Sequence, residues 1–129
     1  MARILIVDDE AEIRVMLNNI FNDNYEIVEA TNGVEAKKIC DSTDVDLMIT
    51  DIVMPEMHGV DLVLEIRRDH PDMPIIAMSG GGGVTGRFDY LKIVSLLGVE
   101  EVMQKPFEMS SLRKKVKELL ENKKEKSSC

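Results

Sequence analysis

The chain is short of cysteine, of long apolar runs and of positive charge, and each shortage removes a class of function. Its two cysteines are Cys40, inside a helical pattern, and Cys129, the last residue. They show neither metal-ligand spacing nor a disulfide framework, so both read as ordinary thiols. Hydrophobic residues make up 44% of the chain, yet no run approaches the roughly 18 apolar residues that a membrane-spanning helix needs. Met1-Ala2-Arg3 passes directly into an apolar strand, which leaves no room for a signal peptide, and a cytoplasmic location is expected. With 16 basic against 24 acidic side chains the net charge is −8, which argues against direct nucleic-acid binding, because phosphate contacts need a basic face. Arg113, Lys114, Lys115, Lys117, Lys123, Lys124 and Lys126 do gather near the C-terminus. They read as the solvated face of a last helix whose cations oppose the negative end of its dipole.

What the chain does have, in 129 residues, is enough for one domain with a real core. It is organised around Leu47-Met48-Ile49-Thr50-Asp51, an apolar run that stops at a carboxylate and is followed by Met54-Pro55. That pattern reads as a buried strand delivering Asp51 to a loop at its C-terminal end, where open α/β sheets keep their chemistry. Ile4 to Val7 ends the same way on Asp8-Asp9, Pro74 to Met78 ends on Ser79, and Val99 to Met103 leads to Gln104-Lys105-Pro106-Phe107. A short strand is expected over Tyr25 to Val28.

Between these runs the apolar period changes to that of helices. Ile13, Met16, Leu17, Ile20 and Phe21 mark one helical face, and Asn22-Asp23-Asn24 ends it. Asn32, with Glu35 three residues on, opens a second helix as a capping box. A third follows Gly59, with Leu62, Val63 and Ile66 facing inward, Arg67-Arg68 in its last turn and His70-Pro71 closing it. The last helix is expected to bury Met109, Leu112, Val116, Leu119 and Leu120. Residues 1–122 then form the domain and 123–129 a flexible tail with nothing to bury. Alternating strands and helices with short connections imply a parallel sheet covered on both faces.

Asp8-Asp9, Asp51 with Met54-Pro55, Ser79 and Lys105-Pro106-Phe107, each after its own apolar strand, resemble the receiver domain of bacterial two-component response regulators, from about Arg3 to about Leu120. The resemblance implies a flavodoxin-like (βα)5 doubly wound sheet of strand order 2-1-3-4-5, so that Asp8, Asp9 and Asp51 meet at the switch point. It also implies Mg²⁺, held directly by Asp9 and Asp51, through water by Asp8, and by the carbonyl of Val53. Clustered carboxylates repel one another, and a hard, oxygen-rich site of this kind suits that ion. Asp51 becomes the nucleophile that accepts a phosphoryl group as an aspartyl phosphate, with Lys105 and Ser79 steadying the transferred oxygens. Lys105-Pro106 looks like the peptide that is cis in this family.

His58 and His70 each stand alone and read as surface histidines, and nothing in the chain resembles a histidine kinase core. The expected phosphoryl donor is therefore a sensor histidine kinase or a histidine phosphotransfer protein, with output through an unidentified protein partner.

Two features depart from the family. Val102 stands where many receivers carry a Tyr or Phe that swings inward on activation. The stretch Gly80-Gly81-Gly82-Gly83-Val84-Thr85-Gly86 lengthens the connection after the fourth strand, and with Arg87 and Phe88 it fails as a nucleotide-binding P-loop. It reads either as a loop whose amides approach the phosphoryl oxygens or as slack. The leading reading is a phosphorylation-switched binding protein. Two alternatives stay open: a receiver module cut from a longer transcription factor or enzyme, and a haloacid-dehalogenase-type phosphatase, against which Val53 stands where that family needs a second carboxylate.

Overall fold

The computed structural model describes residues 1–52, 59–79, 98–104 and 108–128. Within them the chain forms β1 (Arg3–Val7), α1 (Ala11–Phe21), β2 (Glu26–Ala30), α2 (Gly33–Ser42), β3 (Leu47–Asp51), α3 (Gly59–Asp69), β4 (Ile75–Ser79), β5 (Glu101–Gln104) and α4 (Met109–Ser128). The strands make one sheet in the order β2-β1-β3-β4-β5, and every neighbouring pair is parallel. This is the flavodoxin-like order that the sequence resemblance implied.

The sheet is buried on both faces, and the twofold period of a strand divides its side chains between two cores. Leu5, Val7, Met48, Ile75 and Ala77 pack with Ala36 and Cys40 of α2 and Leu62, Val63 and Ile66 of α3. Ile4, Ile6, Ile49, Ile76 and Met78 pack on the opposite face with Leu17, Ile20 and Phe21 of α1 and Leu112 and Val116 of α4. Each fully buried Leu or Ile in these layers contributes about 1.5–3 kcal/mol. A continuous apolar run such as Ile4-Leu5-Ile6-Val7 is therefore what a central parallel strand requires, since both sets of side chains need an apolar partner.

Local chemistry sets the helix ends. Asn32 accepts a hydrogen bond on its side chain from the Glu35 amide at 2.8 Å. The Glu35 carboxylate reaches back to the amide of Thr31 at 2.7 Å. This is a capping box shifted by one residue from the expected closure on Asn32. The C-terminus of α1 is closed by the Asn22 amide donating to Asn18 O at 2.8 Å, and the Phe21 and Tyr25 rings meet at 6.1 Å between centroids.

Two expectations shift. β2 begins and ends later than Tyr25 to Val28, because pairing with β1 runs from Arg3↔Glu26 to Val7↔Ala30 and carries the strand to Ala30. Met109 is 49% exposed rather than part of the buried stripe of α4, which runs through Leu112, Val116 and Leu119. It occupies the first position of the helix, where no preceding turn covers it. The backbone of α4 is helical to Ser128. Leu119, Leu120, Glu121, Lys123, Lys124, Glu125 and Lys126 are strong helix formers, and propensity carries the helix on beyond its buried stripe.

Candidate functional site

Register places the chemistry. Val7 pairs with Thr50, so Asp8 leaves β1 at the level where Asp51 ends β3. Asp51 pairs with Met78, and Ser79 with Gln104. Asp8, Asp9, Asp51 and the backbone of Ser79 thus share the C-terminal edge of the sheet, where β1 and β3 lie side by side although helices on opposite faces follow them.

Asp8 is fully buried, Asp51 is 7% exposed and Asp9 faces solvent. One carboxylate oxygen from each lies within 4.8 Å of the others, and no other group of three potential ligands occurs among the described residues. At that separation two carboxylates repel by about 3 kcal/mol at an effective dielectric of 20, less where Asp9 meets water. Backbone donors offset part of the repulsion. The Glu10 amide donates to Asp8 Oδ1 at 2.9 Å, and the Ile52 amide to Asp51 Oδ1 at 2.9 Å. Both carboxylates are oriented by the turns in which they sit. The donor set is all oxygen, two of the three carboxylates are withdrawn from solvent, and one side stays open at Asp9; such a set fits a hard divalent cation.

Two supporting residues escaped the sequence analysis. Arg14 donates from Nη1 to the carbonyl of Asp8 at 2.8 Å and pairs through Nε with Glu29 Oε1 at 3.1 Å. It ties the turn after β1 to β2 and holds Asp8 in place. The fully buried Thr50 donates from Oγ1 to the carbonyl of Asp51 at 2.9 Å. No pattern marked either one, because each acts on a backbone carbonyl whose position is set by strand pairing.

Val53 and Lys105, named as metal carbonyl and phosphate-steadying ammonium, lie outside the described residues, as do His58, the Lys105-Pro106 peptide and the loop from Gly80 to Phe88. Ser79 ends β4 at the expected place, and its hydroxyl lies outside what is described. Val102 is half-buried against the α2/α3 core. His70, the other expected surface histidine, is half-buried with Nε2 at 3.0 Å from Asp41 Oδ1. It lines a cleft of about 540 Å³ with Cys40, Asp41 and Met73 at the opposite end of the strands, far from the carboxylates. Burial pushes the Cys40 thiol up to about 11, which suits the inert role expected of it.

Comparison with known proteins agrees with the fold. The family model for the response regulator receiver domain matches residues 4–117. Response regulator SaeR of Staphylococcus aureus is 34% identical over 121 residues, covering 93% of this chain and 51% of its own length. Histidine kinase P4 of Formosa agariphila is 33% identical over 121 residues, 92% of this chain and 8% of its own. The chain therefore spans about half of the first relative and a small part of the second. A CheY-like receiver domain protein from Methanospirillum hungatei superposes with a TM-score of 0.88 at 25% identity, over 98% of each chain. A receiver domain protein from Clostridium thermocellum gives 0.85 at 27% identity, over 96% of this chain and 98% of that one. Among the described residues no helix is long and apolar enough to cross a membrane.

Proposed function

The chain belongs to the response regulator receiver domain family, and from that premise we propose that it is a switch thrown by phosphorylation of Asp51. The observation that carries the proposal is the placement of Asp51 at the end of β3, nearly buried, with oxygens of Asp8 and Asp9 within 4.8 Å. Mg²⁺ is the cation assigned to this set, and when bound it supplies neutralising charge to the transferred phosphoryl group. Asp8, Asp9, Asp51 and the carbonyl of Val53 would hold it.

The protein's own part in the transfer is positional. An Asp51 carboxylate oxygen attacks the phosphorus of a phosphohistidine or acyl phosphate. The new bond is P–O, the bond to the donor nitrogen or oxygen breaks, and its electron pair leaves with the donor. The Ile52 amide and the Thr50 hydroxyl hold the Asp51 turn in line. Lys105 and Ser79 take the roles of a point charge and a hydroxyl donor to the phosphoryl oxygens. The imidazole of a phosphohistidine donor leaves neutral when its other ring nitrogen carries a proton, so the receiving site needs positioning and charge neutralisation more than an acid or base of its own.

The donor is a sensor histidine kinase or a histidine phosphotransfer protein, and the output is a protein contact, as the net charge of −8 disfavours nucleic acid. The chain acts in the cytoplasm as a signalling module, without multiple turnover. A second reading, an input module of a longer protein, is favoured by its spanning about half of SaeR. With acetyl phosphate and Mg²⁺ the intact mass should rise by one phosphoryl group, removable by hydroxylamine, and Asp51→Asn should abolish the gain. Label on the Asn variant at the wild-type level would refute the assignment. Repeated hydrolysis of ordinary phosphate monoesters would instead support the phosphatase reading.

A further inference from the structure

Arg67, in the last turn of α3, donates hydrogen bonds to four acceptors, all at the end of the sheet away from Asp51. Its Nη1 donates to the carbonyls of Met73 at 2.8 Å and Pro71 at 3.1 Å. Its Nη2 donates to the carbonyl of Gly98 at 2.8 Å and to Glu100 Oε1 at 2.5 Å. The same Glu100 oxygen accepts the Ile75 amide at 2.8 Å, while the Glu100 amide donates to Ile75 O at 3.0 Å. One guanidinium and one carboxylate thus fasten the start of β4 to the turn that feeds β5. Gly98 holds that turn with φ of 83°, a conformation that L side chains rarely adopt.

β5 needs such a fastening. It is a four-residue strand paired along one side only, with β4. Its central residues are Val102, which packs with Ala77 in the α2/α3 core, and Met103, which packs with Met78 in the α1/α4 core. A slip of one residue would exchange their faces and still leave an apolar side chain in each core. The hydrophobic pattern therefore specifies the register of β5 weakly. A slip would, however, break every bond that Glu100 makes to Arg67 and Ile75.

We infer that Arg67 and Glu100 are positioning residues for phosphorylation: by pinning the register of β5 on β4 they set the height at which β5 ends at Gln104 and the chain passes on to Lys105. The register that they hold places Gln104 opposite Ser79, so Lys105 is the first residue beyond it. A one-residue slip would move that point by about 3.3 Å, and misplacement of about 1 Å can already cost a hundredfold in rate. The inference rests on Asp51 being the phosphoacceptor and Lys105 acting on the phosphoryl group.

The test measures labelling of Asp51 by acetyl phosphate in Arg67→Ala and Glu100→Gln at temperatures where circular dichroism shows each folded. Glu100→Gln keeps an acceptor for the Ile75 amide and serves if the Arg67 variant does not fold. The maximal rate should fall at least tenfold, while Mg²⁺ affinity, set by β1 and β3, should stay within twofold. In a Lys105→Ala background Arg67→Ala should cause no further loss, which a general weakening of the fold would not produce. Cross-strand amide NOEs between Ala77 and Val102 should shift or vanish in the variants. Folded variants that keep those NOEs and the wild-type rate would overturn the inference. A wild-type chain that takes no label would refute the proposed phosphorylation itself, and the NOEs would still decide whether Arg67 pins the register.

Discussion

Removal of the Asp9 carboxylate should stabilise the protein in the absence of metal and weaken its hold on Mg²⁺. Asp9 faces solvent and makes no hydrogen bond or ion pair with another described residue, so Asp9→Ala deletes little besides charge. The deleted charge lies within 4.8 Å of two others. Each pair repels by about 3 kcal/mol at an effective dielectric of 20, and solvent and salt at an exposed carboxylate reduce that severalfold. A net gain of about 1–2 kcal/mol is expected, or a rise in melting temperature of about 3–8 °C for a domain of this size. Urea unfolding with EDTA present should show a higher midpoint at an unchanged m-value, and the difference should shrink as NaCl is raised. With Mg²⁺ added the order should reverse, because wild type gains RT ln(1 + [Mg²⁺]/Kd) and the variant gains less. Asp8→Asn, which keeps the Oδ1 acceptor for the Glu10 amide, should behave alike. Variants that unfold at lower urea than wild type in EDTA would refute the picture of strain from crowded carboxylates.

Three further outcomes are expected. The hydrogen bonds from Lys37 to Asp41, and those from Arg68 and Lys37 to Asp69, hold both carboxyls below the ordinary carboxylate range. Their contribution is present above the unfolded-state value near 4 and is lost as pH falls through the lower folded values. Lys37→Met should therefore flatten the loss of stability below pH 4 in acid titrations followed by circular dichroism; an unchanged acid slope would show that the network adds nothing. In a Cys129→Ser background the remaining thiol, Cys40, raised to about 11 by burial, should react with a disulfide reagent at pH 8 only as fast as the protein opens, and rapid reaction of the native protein would contradict its burial. Loading with beryllofluoride should move the backbone amides of Gly80 to Phe88 most, since glycine offers little steric resistance to a new backbone conformation. Larger shifts around Val102 and in α4 would mean that the glycine loop is only slack.

Strand ends were legible in the sequence because both faces of a central parallel strand must be apolar, which makes Ile4 to Val7 and Leu47 to Ile49 unbroken runs that stop where a carboxylate meets the edge. The first three helices were legible through their apolar period and caps, Asn32 with Glu35 above all. Resemblance, rather than pattern, supplied the strand order, since periodicity alone does not say which strand lies beside which. Tertiary structure decided what depends on that neighbourhood. It carried β2 on to Ala30, because pairing with β1 overrides a short apolar signal. It left Met109 in solvent, because a stripe position buries a side chain only where the helix lies over the sheet. It brought Arg14 to the carbonyl of Asp8 and Arg67 to Glu100, 33 residues away. A cation's partner across that distance is set by the register of strands and the lie of a helix, and neither leaves a trace in local composition.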